Sequence, residues 1–154
     1  MDWLYDLITN RFLITGVSSW FVAQVMKTII YAIINKKLVL ERMVGDGGMP
    51  SGHSATVTSL AVISGLSFGF DSFQFAVTAL LAIIVCHDAM GVRLETGKQA
   101  QIINEMTAAF EVWTKKELPE IKLKEFVGHT PLQVLIGGIL GILIALGMHF
   151  LIYN

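Results

Sequence analysis

Charged residues are scarce in this chain. Of its 154 residues only 15% are Asp, Glu, Lys or Arg, whereas 54% are apolar and the mean hydropathy is +0.65. A typical soluble domain has roughly 25% charged residues. So many apolar side chains exclude a disordered chain, and so short a chain has too little interior to hide them all from water. The composition therefore predicts a small integral membrane protein.

The chain has a single cysteine and no excess of positive charge. The single cysteine, Cys86, excludes an internal disulfide and a multi-cysteine metal cluster. The formal net charge of -1 lacks the strongly basic footprint of a nucleic-acid-binding protein, so no nucleic-acid partner is expected. The N-terminal MDWLYDLITNR has acidic residues where a signal peptide needs a basic region, which predicts that it is not cleaved.

Four apolar runs are long enough to cross a membrane, which takes about 20 residues within a range of roughly 17–25. We predict a single all-α domain over 1–154, an integral membrane helical bundle with about four transmembrane helices at 12–34, 54–70, 73–90 and 131–153. An amphipathic helix at 99–113 and a short helix at 2–8 are expected at the membrane surface. In the last span, Gly137 and Gly141 form a GxxxG step, which is typical of close helix packing.

The basic residues are distributed unevenly along the chain. Nine of the eleven lysines and arginines lie in the loops 35–53 and 91–130, which four spans place on the same side of the membrane. Positive residues accumulate in the cytoplasmic loops of membrane proteins. Both loops are therefore predicted to face the cytoplasm, across a cell (inner) membrane.

The first of these loops has the residue types of a phosphate site. It reads VGDGGMPSGHSATVTSL, with Ser51, Gly52 and His53 where the second span begins. Helix N-terminal amides favour an anion, and an imidazole can donate a proton to a leaving oxygen. The alternative is a polar turn in which Ser51 caps the helix. Lys27 lies inside the first span with Gln24 on the same helix face, which indicates a polar stripe towards the bundle interior, unless Lys27 extends to the membrane surface.

Three strings of the sequence resemble a known family. GGMPSGHSA, HDAMGVRLETGKQAQIIN and VGHTPLQVLIGGILG follow one another in this order. They are similar to the recurring motifs of the divergent, small-membrane branch of the type 2 phosphatidic acid phosphatase superfamily, which also contains vanadium haloperoxidases. The resemblance implies that His53 protonates the leaving alkoxide and that Ser51 and Gly52 contact the phosphate. It also implies that His129 attacks phosphorus and becomes transiently phosphorylated.

The sequence departs from the superfamily's pattern at three places. No arginine stands shortly before the nucleophilic histidine, and the nearest candidate to hold phosphate there is Arg93. The first signature, a lysine followed by Arg-Pro, is not legible, and Lys27 and Arg42 stand as its remnants. The aspartate that the superfamily places four residues after the nucleophile is replaced by Gln133, and Asp88 is the candidate for the missing carboxylate.

These residues predict a membrane phosphatase that hydrolyses a lipid phosphate monoester, similar to phosphatidylglycerophosphate or phosphatidate, at the cytoplasmic face through a phosphohistidine intermediate. Its partner is a phospholipid substrate in the bilayer, and a homodimer that completes the bundle stays open. No metal ion or other cofactor is expected, because lysine and arginine can stabilise the charge of phosphoryl transfer. The alternatives are a non-catalytic lipid-phosphate-binding or small transport protein with a degenerate phosphate cradle, which Gln133 favours, and a vanadate-dependent oxidase.

Overall fold

A computed structural model describes residues 2–39, 43, 45, 47–115, 123–125 and 127–153. Throughout these residues the regular structure is helical, without a strand. The predicted all-α integral helical bundle is confirmed. Its elements are α1 (Asp2–Ile8), α2 (Arg11–Asn35), α3 (Gly52–Phe68), α4 (Phe73–Met90), α5 (Val92–Thr114), α6 (Pro131–Met148) and a π-helical turn (His149–Tyr153).

The central helix of the bundle is α3, which packs against α2, α4 and α6. Most of its buried side chains are small: Ser54, Ala55, Ser59, Ala61 and Ser64. Small side chains let three neighbouring helices approach one helix closely. This explains why the span that is richest in hydroxylated and small residues lies inside the bundle.

The contact between α3 and α6 depends on two glycines. A Cβ atom added to Gly137 would lie 2.5 Å from the carbonyl oxygen of Ser51, and one added to Gly141 would overlap the carbonyl oxygen of Ala55. Both obstacles are backbone atoms, so they cannot move away as a flexible side chain would. The GxxxG step thus places the two helix backbones in contact, as the sequence predicted.

Three helical segments of the described chain are long and apolar enough to cross a membrane: Arg11–Asn35, Phe73–Thr114 and Pro131–Tyr153. The fourth predicted span corresponds to α3, whose 17 residues extend about 25 Å at 1.5 Å per residue. That is shorter than the hydrocarbon core of about 30 Å. The short length of α3 is compatible with its central position, because α2, α4 and α6 pack against it.

The amphipathic helix predicted at 99–113 lies within α5, which begins earlier, directly after Gly91. Residues 123–125 and 127–129 return alongside α5. The Asn104 side chain donates to the Leu123 carbonyl at 3.0 Å and accepts from the Leu123 amide at 3.0 Å. Further along, Gly128 has a φ of +82° and its backbone lies against Leu94. This path returns the chain to the end of α4, where α6 begins.

Candidate functional site

Two histidines from distant parts of the chain lie side by side. His53 is in the first turn of α3, and His129 is two residues before α6. Their ring centroids are 6.0 Å apart, with the ring planes at 61°. His129 is only 3% exposed, whereas His53 is exposed. One ring therefore lies inside the site and the other at its opening.

Local hydrogen bonds determine the position and the tautomer of His129. Its backbone amide donates to the carbonyl of Ala89, at the end of α4, at 2.9 Å. Its Nδ1 lies 3.3 Å from Oε1 of Gln133. The same Oε1 accepts from the backbone N–H of Thr130 at 3.1 Å, which identifies it as an oxygen. Because a carbonyl oxygen only accepts, this contact favours the tautomer with the proton on Nδ1 and the free electron pair on Nε2.

The beginnings of α3 and α6 are joined through Ser51. Its backbone N–H donates to the carbonyl of Gln133 at 3.1 Å. Its hydroxyl is fully buried and caps α3, accepting from the backbone N–H of Ser54 at 3.3 Å and from the Ser54 hydroxyl at 3.0 Å. The structure thus places Ser51 as the helix cap beside the site, while its neighbour Gly52 lines the site itself.

Lys27 brings positive charge to the same place from α2. It is 5% exposed, and its ammonium donates to the carbonyl oxygen of Gly45 at 3.2 Å. The predicted polar stripe is confirmed, because Gln24 is equally buried on the same face of α2. Burial of both side chains excludes the alternative in which Lys27 extends to the membrane surface.

These side chains enclose a cavity of about 90 Å³. That is room for several water molecules or for a small oxyanion. An ammonium and two imidazoles line it, and the N-terminal end of α3 adds its amides. The lining includes Trp20, Gln24 and Lys27 of α2, Gly52 and His53 of α3, and His129.

Asp88 and Arg93 lie apart from this cavity. Arg93 Nε donates to the Asp88 carboxylate at 2.6 Å, and both side chains are about half exposed, at 50% and 41%. Asp88 precedes Ala89, the residue that binds the His129 amide, but the acceptor at the His129 ring is Gln133. The third candidate cation, Arg42, lies outside the described residues.

Sequence reasoning did not select Trp20 or Gln24 as site residues. Trp20, Gln24 and Lys27 are spaced i, i+4, i+7, which places them on one face of α2. That spacing was the available signal. An added Cβ on Gly52 would meet Trp20 Cδ1 at 3.4 Å, so the indole lies directly against the start of α3.

The environment of His129 lowers its pKa below the ordinary value of 6.5. Burial is the largest influence, since it disfavours the charged ring. The hydrogen bond with Gln133 and the Gly48 backbone oppose it, whereas the positive charges of Lys27 and His53 act in the same direction as burial. His129 is therefore neutral at pH 7, as a nucleophilic imidazole must be.

If His129 is the nucleophile that the family resemblance implies, this environment predicts how activity depends on pH. Activity should fall as the pH drops through the lowered pKa of His129, giving an acidic limb of kcat/KM below pH 6.5. In Gln133→Glu the carboxylate stabilises the charged ring, so the limb should move to higher pH. Above that limb the rate should rise about tenfold, because a charged acceptor binds the developing imidazolium more strongly.

Measured pH–rate profiles of both proteins test this expectation. A carboxylate at position 133 can still accept from the Thr130 amide, so the cap of α6 is retained. An acidic limb at the same pH in the two proteins would show that the titrating group is not His129.

Comparison with known proteins identifies the family of the chain. The family model described as the Divergent PAP2 family matches residues 8–144, and the chain belongs to that family. It is 40% identical over 150 residues to the "Uncharacterized membrane protein YuiD" of Bacillus subtilis (strain 168), an alignment that covers 92% of this chain and 95% of the relative. No solved structure matches the chain significantly. The resemblance inferred from the three motifs is confirmed.

Proposed function

We propose that this protein is a phosphatase that hydrolyses a lipid phosphate monoester through a phosphohistidine intermediate on His129. The observation that carries the proposal is the pair of imidazoles at one cavity, with the ammonium of Lys27 in the same wall. Membership of the Divergent PAP2 family supports a phosphatase-related role. The family resemblance implies the separate roles of the two rings, and their hydrogen bonds and exposure support that assignment.

The first chemical step uses the free electron pair of His129. Nε2 attacks phosphorus, a P–N bond forms, and the bond between phosphorus and the ester oxygen breaks. His53, at the opening of the site, donates a proton to the departing alkoxide. Lys27 and the first amides of α3 stabilise the negative charge on the other phosphoryl oxygens. Gln133 accepts from Nδ1–H and so stabilises the positive charge that develops on the ring.

The substrate we propose is a glycerophospholipid phosphate similar to phosphatidylglycerophosphate or phosphatidate. Apolar side chains on the outer side of α4 are exposed, including Leu80, Ile83 and Ile84. Such a surface suits acyl chains, so the lipid tails can stay in the bilayer while the phosphate reaches the cavity. We place the site on the cytoplasmic side of the cell membrane, because nine of the eleven basic residues lie in the two loops that carry it.

Cysteine labelling tests the orientation. In a Cys86→Ser background, Lys98→Cys on α5 and Asp71→Cys in the turn between α3 and α4 both provide exposed thiols. A membrane-impermeant maleimide should label Asp71→Cys in intact cells and Lys98→Cys only after permeabilisation. The reverse pattern would place the site on the outer side and would direct the substrate search to lipids of the outer leaflet.

Phosphate release from the purified protein tests the activity. Dioctanoyl phosphatidate, phosphatidylglycerophosphate and a polyprenyl phosphate form a suitable panel in detergent, with release expected from the first two. The rival function is lipid-phosphate binding without turnover, which the neutral acceptor Gln133 favours, because the superfamily has a carboxylate there. Binding of these lipids with no phosphate release from any of them would establish the rival.

A further inference from the structure

Gln24 lines the cavity and carries an unpartnered hydrogen-bond acceptor. The residue is 5% exposed, and it lines the cavity beside Lys27. Within the described part of the chain its Oε1 has no hydrogen-bond partner. A buried carbonyl oxygen without a donor is costly. A ligand that brings a hydrogen atom to Gln24 would satisfy this oxygen.

The unprotonated phosphoryl oxygens of the substrate are not that ligand. They are acceptors, and the cavity already offers them donors in Lys27, His53 and the amides at the start of α3. The Gln24 carbonyl oxygen would repel these phosphoryl oxygens, because both are acceptors. Gln24 instead matches a water molecule or a hydroxyl group, and water is the reactant that the second half of a phosphohistidine mechanism requires.

We infer that Gln24 orients the water molecule that hydrolyses phosphorylated His129, an assignment that rests on the function proposed above. The water oxygen attacks phosphorus, and the P–N bond breaks with its electron pair returning to Nε2. One water proton passes to His53, which gave its own proton to the alkoxide in the first step. The other hydrogen stays on the new phosphate oxygen and donates to Gln24 Oε1. Inorganic phosphate leaves, and both histidines are restored.

The size of the cavity agrees with this sequence of steps. A cavity of about 90 Å³ has room for a phosphoryl group with a water molecule beside it. A water molecule needs two or more polar partners to be held in place, and His53 and Gln24 supply one acceptor each.

Rapid-quench labelling separates the two half-reactions. Wild type and Gln24→Met, whose side chain is similar in length but lacks the carbonyl, are mixed with ³²P-labelled dioctanoyl phosphatidate and phosphatidylglycerophosphate. Phosphoenzyme is measured as acid-labile, alkali-stable label on the protein. Ser19→Ala is the matched control, because Ser19 is also a buried α2 residue with an unpartnered polar atom but does not line the cavity.

Gln24→Met should form phosphoenzyme at the wild-type rate but lose it about tenfold more slowly, so that label accumulates while phosphate release falls. Ser19→Ala should behave as wild type. Equal slowing of both half-reactions in Gln24→Met, or no change, would overturn the role of Gln24 and leave the phosphatase intact. Absence of both label and phosphate release in wild type would overturn the proposed function and this inference with it.

Discussion

Replacing His129 with alanine is expected to abolish both phosphate release and covalent labelling of the protein. The loss should be on the order of 10⁴-fold, because the variant lacks the group that forms the P–N bond. The backbone amide of residue 129 keeps its bond to Ala89, so the chain path between α4 and α6 is retained. His87→Ala is the control, since His87 is an exposed histidine on α4 that does not line the cavity.

His53→Ala should respond to the leaving group of the substrate. With a lipid phosphate the departing alkoxide needs a proton, and loss of the general acid should slow the reaction by about 10²–10⁴-fold. With 4-nitrophenyl phosphate the leaving nitrophenolate needs no proton, so formation of the phosphoenzyme should be nearly unchanged. Labelled phosphoenzyme in His129→Ala, or equal sensitivity of His53→Ala to both substrates, would reverse the roles assigned to the two rings.

Gly141→Ala is expected to destabilise the bundle. The new methyl group would overlap the Ala55 carbonyl and lie 3.0 Å from the Ser59 amide nitrogen, so α6 must move away from α3. Overpacking of this kind lowers the free energy of unfolding by about 1–3 kcal/mol. The displacement also affects the site, because the Ser51–Gln133 backbone bond joins the same two helices.

Gly147→Ala is the matched comparison on the same helix. A Cβ atom there has nothing within 4 Å, so the variant should gain about 0.5–1 kcal/mol from helix propensity. Thermal unfolding in detergent measures both variants, and Tm should fall for Gly141→Ala and stay level or rise for Gly147→Ala. If the two changed Tm alike, close contact between α3 and α6 would not be what stabilises the bundle.

The helices themselves could be predicted closely from the sequence. Starts were predicted at 12, 54, 73 and 131, and α2, α3, α4 and α6 begin within two residues of them. Apolar run length is a local property, and so are the caps: Ser51 and Thr130 each accept from an amide of the following helix. The number of spans was harder, because α3 has the composition of a span but is short and central.

The candidate site was only partly predictable. Motif resemblance selected His53 and His129, and the polar stripe on α2 indicated Lys27, but nothing local assigned Asp88 to Arg93 rather than to His129. Side-chain pairing of that kind depends on where the end of α4 lies relative to α6. Trp20 was missed because an aromatic residue in an apolar helix is usually a packing residue, and its spacing to Gln24 and Lys27 shows only that the three share a helix face.

The sequence by itself determined that this is an all-helical membrane protein with the motifs of the Divergent PAP2 family, because composition, run length and short strings are properties of neighbouring residues. Only the tertiary structure decided that His53 and His129 share one cavity and that Gln133 holds the His129 ring. Both depend on the close approach of α3 and α6 at Gly137 and Gly141, a long-range contact whose distance no local pattern specifies.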